Sequence, residues 1–135
     1  MHVRRRISLL LSLAWAVTAS AGEFDGSKPL ECTAAKGHDC LPTSTQCDPL
    51  KPESSVAPVF TIDFAKGEVH SPFRTALLRV KHRTINADSL VLQGADLQFA
   101  WSALVDKKSG ALTVTIADRK GAYVVFGQCK SVKQP

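Results

Sequence analysis

Apolar and polar residues alternate with a period of two through most of the second half of this 135-residue chain. In Leu97–Val105 the residues Leu97, Phe99, Trp101, Ala103 and Val105 share one strand face, opposite Gln98 and Ser102. Leu112, Val114 and Ile116 then alternate with Thr113 and Thr115, and Ala122–Cys129 is largely apolar on both faces, as a central or doubly covered strand would be. Upstream, Phe60, Ile62 and Phe64 alternate with Thr61 and Asp63. Glu68–Ser71 forms a short strand that Pro72 ends. Ala76–Thr84 places Leu78 and Val80 inward with Arg79 and Lys81 outward, and Ser89–Gln93 carries Leu90 and Leu92 inward.

The breaks between these runs repeat one device. Asp63-Phe-Ala-Lys-Gly67 and Asp106-Lys-Lys-Ser-Gly110 share the form D-x-x-x-G, and Asp118-Arg-Lys-Gly121 is one residue shorter. Aspartate accepts hydrogen bonds from turn amides, and glycine takes the positive φ that returns the chain, so these read as hairpin turns rather than as ligand clusters. Asn86-Ala87-Asp88 and Gly94-Ala95-Asp96 read as the remaining turns. No helix is expected beyond the first 21 residues. An all-β chain follows: an antiparallel up-and-down meander of about seven strands, closed as a small barrel or folded as a sandwich. Inward residues as large as Phe60, Phe99, Trp101 and Phe126 predict a filled interior.

The N-terminal third departs from the pattern. Residues 1–21 read as a secretory signal: Arg4, Arg5 and Arg6, then the apolar Ile7–Val17, then Ala19-Ser20-Ala21 as a cleavage site. That apolar run is shorter than the roughly 20 residues a membrane span needs, so no membrane span is expected. Residues 22–58 are rich in cysteine and proline and read as a loop segment that belongs to one domain with the β region 59–135. Removing the signal takes three basic residues and no acidic one, leaving 14 basic against 12 acidic side chains, or +2. A balance that small gives no reason to expect a nucleic-acid partner.

Cys32, Cys40, Cys47 and Cys129 all lie in the exported part, and an even count in an oxidising compartment implies two disulfides. Their spacing does not match a C-x₂₋₄-C zinc site. Three pairings are open, and each ties Cys129 to the N-terminal segment. That bridge closes a long loop, worth roughly 4–5 kcal/mol in the chain-entropy account, against roughly 2.5–3 for a short one.

Candidate chemistry is sparse. His70, near Glu68 and Ser71, and His82, in register with Leu78 and Val80, are the acid–base candidates of a small secreted hydrolase. The same two histidines with Asp63 or Asp88 are the only metal candidates. No G-x-S-x-G elbow and no phosphate-binding glycine loop occurs, and no cofactor is expected. For binding, Trp101 and Tyr123 are the aromatic candidates, and Arg79, Lys81 and Arg83 form a basic stripe on one strand face that would attract an anionic partner.

The run W-S-A-L-V-D-K-K-S-G-A-L-T-V-T, with V-V-F-G-Q-C after it, resembles the C-terminal half of small secreted proteobacterial proteins, which bring no activity with them. A short exported chain closing a disulfide-bonded antiparallel barrel is also similar to the periplasmic C-type lysozyme inhibitors. Their S-G-x-x-Y motif has its nearest counterpart in Lys120-Gly121-Ala122-Tyr123, where the serine is absent and the tyrosine is one residue closer. That likeness rests on architecture and transfers no inhibitory residue. The expectation from sequence is a monomeric, non-enzymatic β-domain of the periplasm or secreted space. It would bind a protein or an anionic envelope component, with inhibition of a cell-wall hydrolase as a specific version. A secreted hydrolase using His70 or His82, and a purely structural protein, are the alternatives.

Overall fold

The computed structural model describes residues 22–51, 58–72 and 77–133; the signal segment 1–21 lies outside them. Ten strands make one antiparallel sheet: β1 (Leu30–Cys40), β2 (Asp48–Pro49), β3 (Val59–Asp63), β4 (Glu68–His70), β5 (Leu77–Arg79), β6 (His82–Ile85), β7 (Ser89–Ala95), β8 (Phe99–Asp106), β9 (Ala111–Asp118) and β10 (Ala122–Ser131). There is no helix among the described residues. The strand order is β5-β4-β3-β1-β10-β9-β8-β7-β6, with β2 on β1. The sheet curls into a half-barrel made of two meanders, β3–β5 and β6–β10, joined through β1.

The cysteine- and proline-rich segment therefore divides. Its first part is not loop: Leu30–Cys40 is an 11-residue strand between β3 and β10. Leu30, Cys32 and Ala34 do alternate inward, but a register shift between Ala34 and Lys36 breaks the period. Its second part, Leu41–Gln46, is the stapled loop, closed by Cys40–Cys47. The other disulfide joins Cys32 to Cys129, which stand opposite each other in the β1–β10 ladder and are both buried.

Register stacks the interior in rows. Leu90, Val105 and Leu112 pair in turn across β7, β8 and β9; Leu92, Ala103, Val114 and Val125 form the next row, reaching β10. Gly94, Trp101, Ile116 and Tyr123 form a third. The opposite wall is the row Leu30, Ile62, Val69 and Leu78. Nearly all of these side chains are fully buried, so the interior is filled, as expected. Two bulky residues are not where the alternation put them. Leu97 precedes β8 and is fully exposed. Phe126 pairs with Thr113, not with Leu112, and so faces outward, with Lys36 Nζ 5.6 Å from its ring centre.

The D-x-x-x-G turns form as expected. Asp63 Oδ1 accepts from the Lys66 amide at 3.0 Å, and Asp106 Oδ1 accepts from the amides of Lys108 and Ser109 at 3.0 and 2.6 Å. Gly67 and Gly110 take φ of 66° and 74°. The two ends of the half-barrel differ. One carries these two turns and is plugged by buried Phe24, which lies against Gly110. The other carries the loop 41–47 and the turns 96–98 and 119–121, and a cleft and a groove open on it.

Candidate functional site

The site is built at the seam where the chain passes from one edge of the sheet to the other. Leu77–Arg79 pairs with β4, and Val80 continues that ladder by donating to Gly67 O at 2.8 Å. The next amide, Lys81 N, instead donates to Gln93 O at 2.8 Å, and Gln93 is also the ladder partner of His82. Two residues thus oppose one, which makes a β-bulge and shifts the alternation by one position. After it, Arg83 and Ile85 pair with Leu92 and Leu90, while His82 faces outward with Gln93.

This bulge corrects two sequence expectations. His82 does not reach the interior; it is exposed. Arg79, Lys81 and Arg83 do not make a stripe on one face. Arg79 faces outward and forms an ion pair with Glu68 at 3.4 Å, whereas Arg83 lies on the side of Leu92, its guanidinium 5.9 Å from the Phe64 ring centre. The sequence signal was present in Lys81-His82-Arg83, three successive polar residues that no alternating strand accommodates on one polar face.

Beyond the bulge the two edges separate toward the open end. The gap is a cleft of about 290 Å³ with Leu78, Arg79 and Lys81 on one wall and Asp96, Phe99 and Trp101 on the other. Trp101 is 5% exposed, so it packs in the core, yet it walls this cleft as well as a shallower depression on the outer face beside His82. It does both because Gly94, its partner across the ladder, has no side chain. A Cβ there would run into Arg79 O and the indole.

Tyr123, half-buried, lies at the same end. It walls a groove of about 480 Å³ between the turns 96–98 and 119–121, with Leu97, Arg119 and Lys120 around it. Both turns are held by aspartate: Asp96 Oδ1 accepts from Leu97 N at 2.6 Å, and Asp118 Oδ1 accepts from Lys120 N and Gly121 N at 2.8 and 3.0 Å. These carboxylates are turned onto backbone amides, while Lys81, Arg119 and Lys120 are exposed and make no ion pair among the described residues. Sequence reasoning missed Leu97, Phe99, Arg119 and Lys120 as members of this end, because nothing in a strand pattern says which turns meet.

The structure brings Trp101, Tyr123, Arg79 and Lys81 to one end and leaves Arg83 out. His70 and His82 have no hydrogen bond or ion pair among the described residues; His70 pairs in register with Thr61 and Leu77, His82 with Gln93. No group of three or more His, Cys, Asp or Glu side chains is close enough to hold a metal among the described residues. No helix among those residues is long and apolar enough to cross a membrane. The disulfides Cys32–Cys129 and Cys40–Cys47 fit an oxidising environment, periplasmic or extracellular. Comparison with protein-family models, with curated proteins and with solved structures finds no match for this chain.

Proposed function

We propose that this is an exported, non-enzymatic β-domain that binds an envelope component or protein through the open end of the half-barrel. The observation that carries the reading is the contrast between the two ends. Phe24 plugs one, while the other gathers Phe99, Trp101 and Tyr123 around a cleft and a groove, with the cations Lys81, Arg119 and Lys120 exposed at their rims. Aromatic walls supply contact area at small entropic cost, and exposed cations steer an anionic partner. The partner class is an anionic surface, on a protein or on an envelope polymer, and inhibition of a cell-wall hydrolase is the specific version of it.

Trp101 is the only tryptophan after residue 21, so its fluorescence reports on the cleft directly. The test is a pull-down from envelope extract with the wild-type chain and with Lys81→Gln/Arg119→Gln/Lys120→Gln, lysozyme being assayed separately. A captured partner should shift Trp101 emission and be lost, or held far more weakly, by the triple variant at physiological salt. Capture that is equal for both chains and leaves Trp101 emission unchanged would place the interaction elsewhere.

A further inference from the structure

The two disulfides differ in what surrounds them. Cys32 is fully enclosed and Cys129 nearly so, and they bridge adjacent central strands inside the core. Cys40 is the last residue of β1 and half-buried, Cys47 is exposed, and every residue of the intervening Leu41–Gln46 is exposed. Thiol–disulfide exchange needs a thiolate to approach a sulfur in line with the S–S bond. Solvent thiols reach Cys47 in the folded protein, whereas reaching Cys129 requires β1 and β10 to part.

The outer bridge holds more than its own loop. It keeps Asp48–Pro49 paired with His38 and Asp39, and Leu50 N donates to Gly37 O at 2.9 Å. The Leu50 side chain packs over Gly37, beside Val125. Asp39 stands opposite Tyr123 in the β1–β10 ladder. On the other side of the bridge, the backbone of Cys40 abuts Gly121 so closely that a side chain at Gly121 would collide with the Cys40 carbonyl. The clip is thus anchored on the residues of β1 that lie beside Tyr123 and beside the turn that presents Arg119 and Lys120.

We propose that Cys40–Cys47 is a reducible latch on the open end, which thiol reductants open while Cys32–Cys129 stays closed. In the step, a dithiol reductant attacks the Cys47 sulfur, the Cys40 thiolate leaves, and the second thiol of the reductant resolves the mixed disulfide. Two electrons and two protons pass to Cys40 and Cys47, and the reductant ends as its own disulfide. With the bridge gone, β2 and Leu50 are held to β1 only by the short Asp48–Pro49 pairing, the Leu50–Gly37 hydrogen bond and the packing of Leu50 over Gly37, and the segment 41–51 lifts away from Gly37.

Limited treatment of the folded protein with dithiothreitol, followed by alkylation and peptide mass analysis, tests the first half. Cys40 and Cys47 should be labelled at least about tenfold sooner than Cys32 and Cys129, as accessibility governs the exchange rate. Labelling of all four cysteines in step overturns the latch. The second half is read by hydrogen exchange. The Leu50 amide should exchange at least about tenfold faster in the partly reduced protein and in Cys40→Ser/Cys47→Ser, with the Val114 and Val125 amides unchanged. Unchanged Leu50 exchange overturns the lifting of the segment. Any loss of partner binding on reduction rests on the proposed function. The two thiol and exchange readouts do not, so a latch that opens without a binding effect would count against the binding site and not against the latch.

Discussion

Gly94 stands directly opposite Trp101 in the β7–β8 ladder, and the indole occupies the space that a side chain at Gly94 would need. The largest interior side chain of the third row is accommodated by the smallest residue beside it. The same gap lets the indole close the seam where β5 hands over to β6. Trp101→Ala should lower stability by about 3–5 kcal/mol, and Gly94→Ala by about 1–3 kcal/mol through overpacking. In the double variant the Gly94→Ala penalty should shrink without vanishing, since Arg79 O still faces that position. Strict additivity in thermal or urea unfolding would show that the indole does not lie there.

The disulfides should separate in energy as they do in accessibility. Replacing Cys32 and Cys129 with alanine opens a loop of sequence separation 97 and should cost roughly 4–5 kcal/mol, against about 2.5 kcal/mol for Cys40 and Cys47, separated by 7. Urea unfolding of the two double variants measures both. Equal losses would contradict the pairing described.

The three basic residues of the Arg79–Arg83 run should behave as three different groups. Arg83→Gln removes the guanidinium over Phe64 and should cost about 0.5–1 kcal/mol. Lys81→Gln should leave the melting temperature almost unchanged, because exposed substitutions of this kind stay within about 0.5 kcal/mol. Arg79→Gln loses only an exposed ion pair with Glu68 and should fall between them. A single common effect for all three would restore the one-face stripe.

Acid should loosen the turns before the core. The amide and hydroxyl of Ser109 hold the Asp106 carboxyl below its ordinary value of 3.8, and the amide of Lys66 does the same for Asp63. A carboxyl that is more acidic folded than unfolded stabilises the fold above 3.8, and that stabilisation disappears as the pH falls through the lower folded value. Melting temperatures recorded from about pH 5 down to about pH 2 should fall less steeply for Asp106→Asn than for wild type. Parallel curves would mean that the Asp106 turn carries no proton-linked stability.

Export should leave a chain starting at Gly22. Intact-mass analysis of protein recovered from the periplasm checks this; a retained N-terminus would refute the targeting expectation.

Strand alternation was enough to read β7, β8 and β9 from sequence, because each buries one face against a row of neighbours. The strand β10 was legible as an apolar strand but not in its facing, since Phe126 turns outward. It was not enough for β1, where cysteines, alanine and glycine fill the inward positions and a bulge interrupts them. It also failed at Lys81–His82, since one extra residue reverses every side chain after it, and that extra residue shows only when the partner strand is known. Of the candidate site, Trp101 and Tyr123 were legible as aromatics on strands. Their meeting at one end with Leu97, Arg119 and Lys120 was not, because it depends on which turns share an end of the sheet.

The place of β1 has a consequence for how the chain acquires its structure. Residues 30–40 find their longest pairing with residues 122–131, so the first strand to appear waits for the last. Two hairpin sets, 59–79 and 82–131, are local and should assemble early. Their union depends on closing a loop of nearly the full described length, the slow class of contact. Deleting the final strand would then not trim the fold by a tenth. It would remove the surface onto which β1 docks, leaving Cys32 without its partner and the two hairpin sets joined only at the seam between β5 and β6.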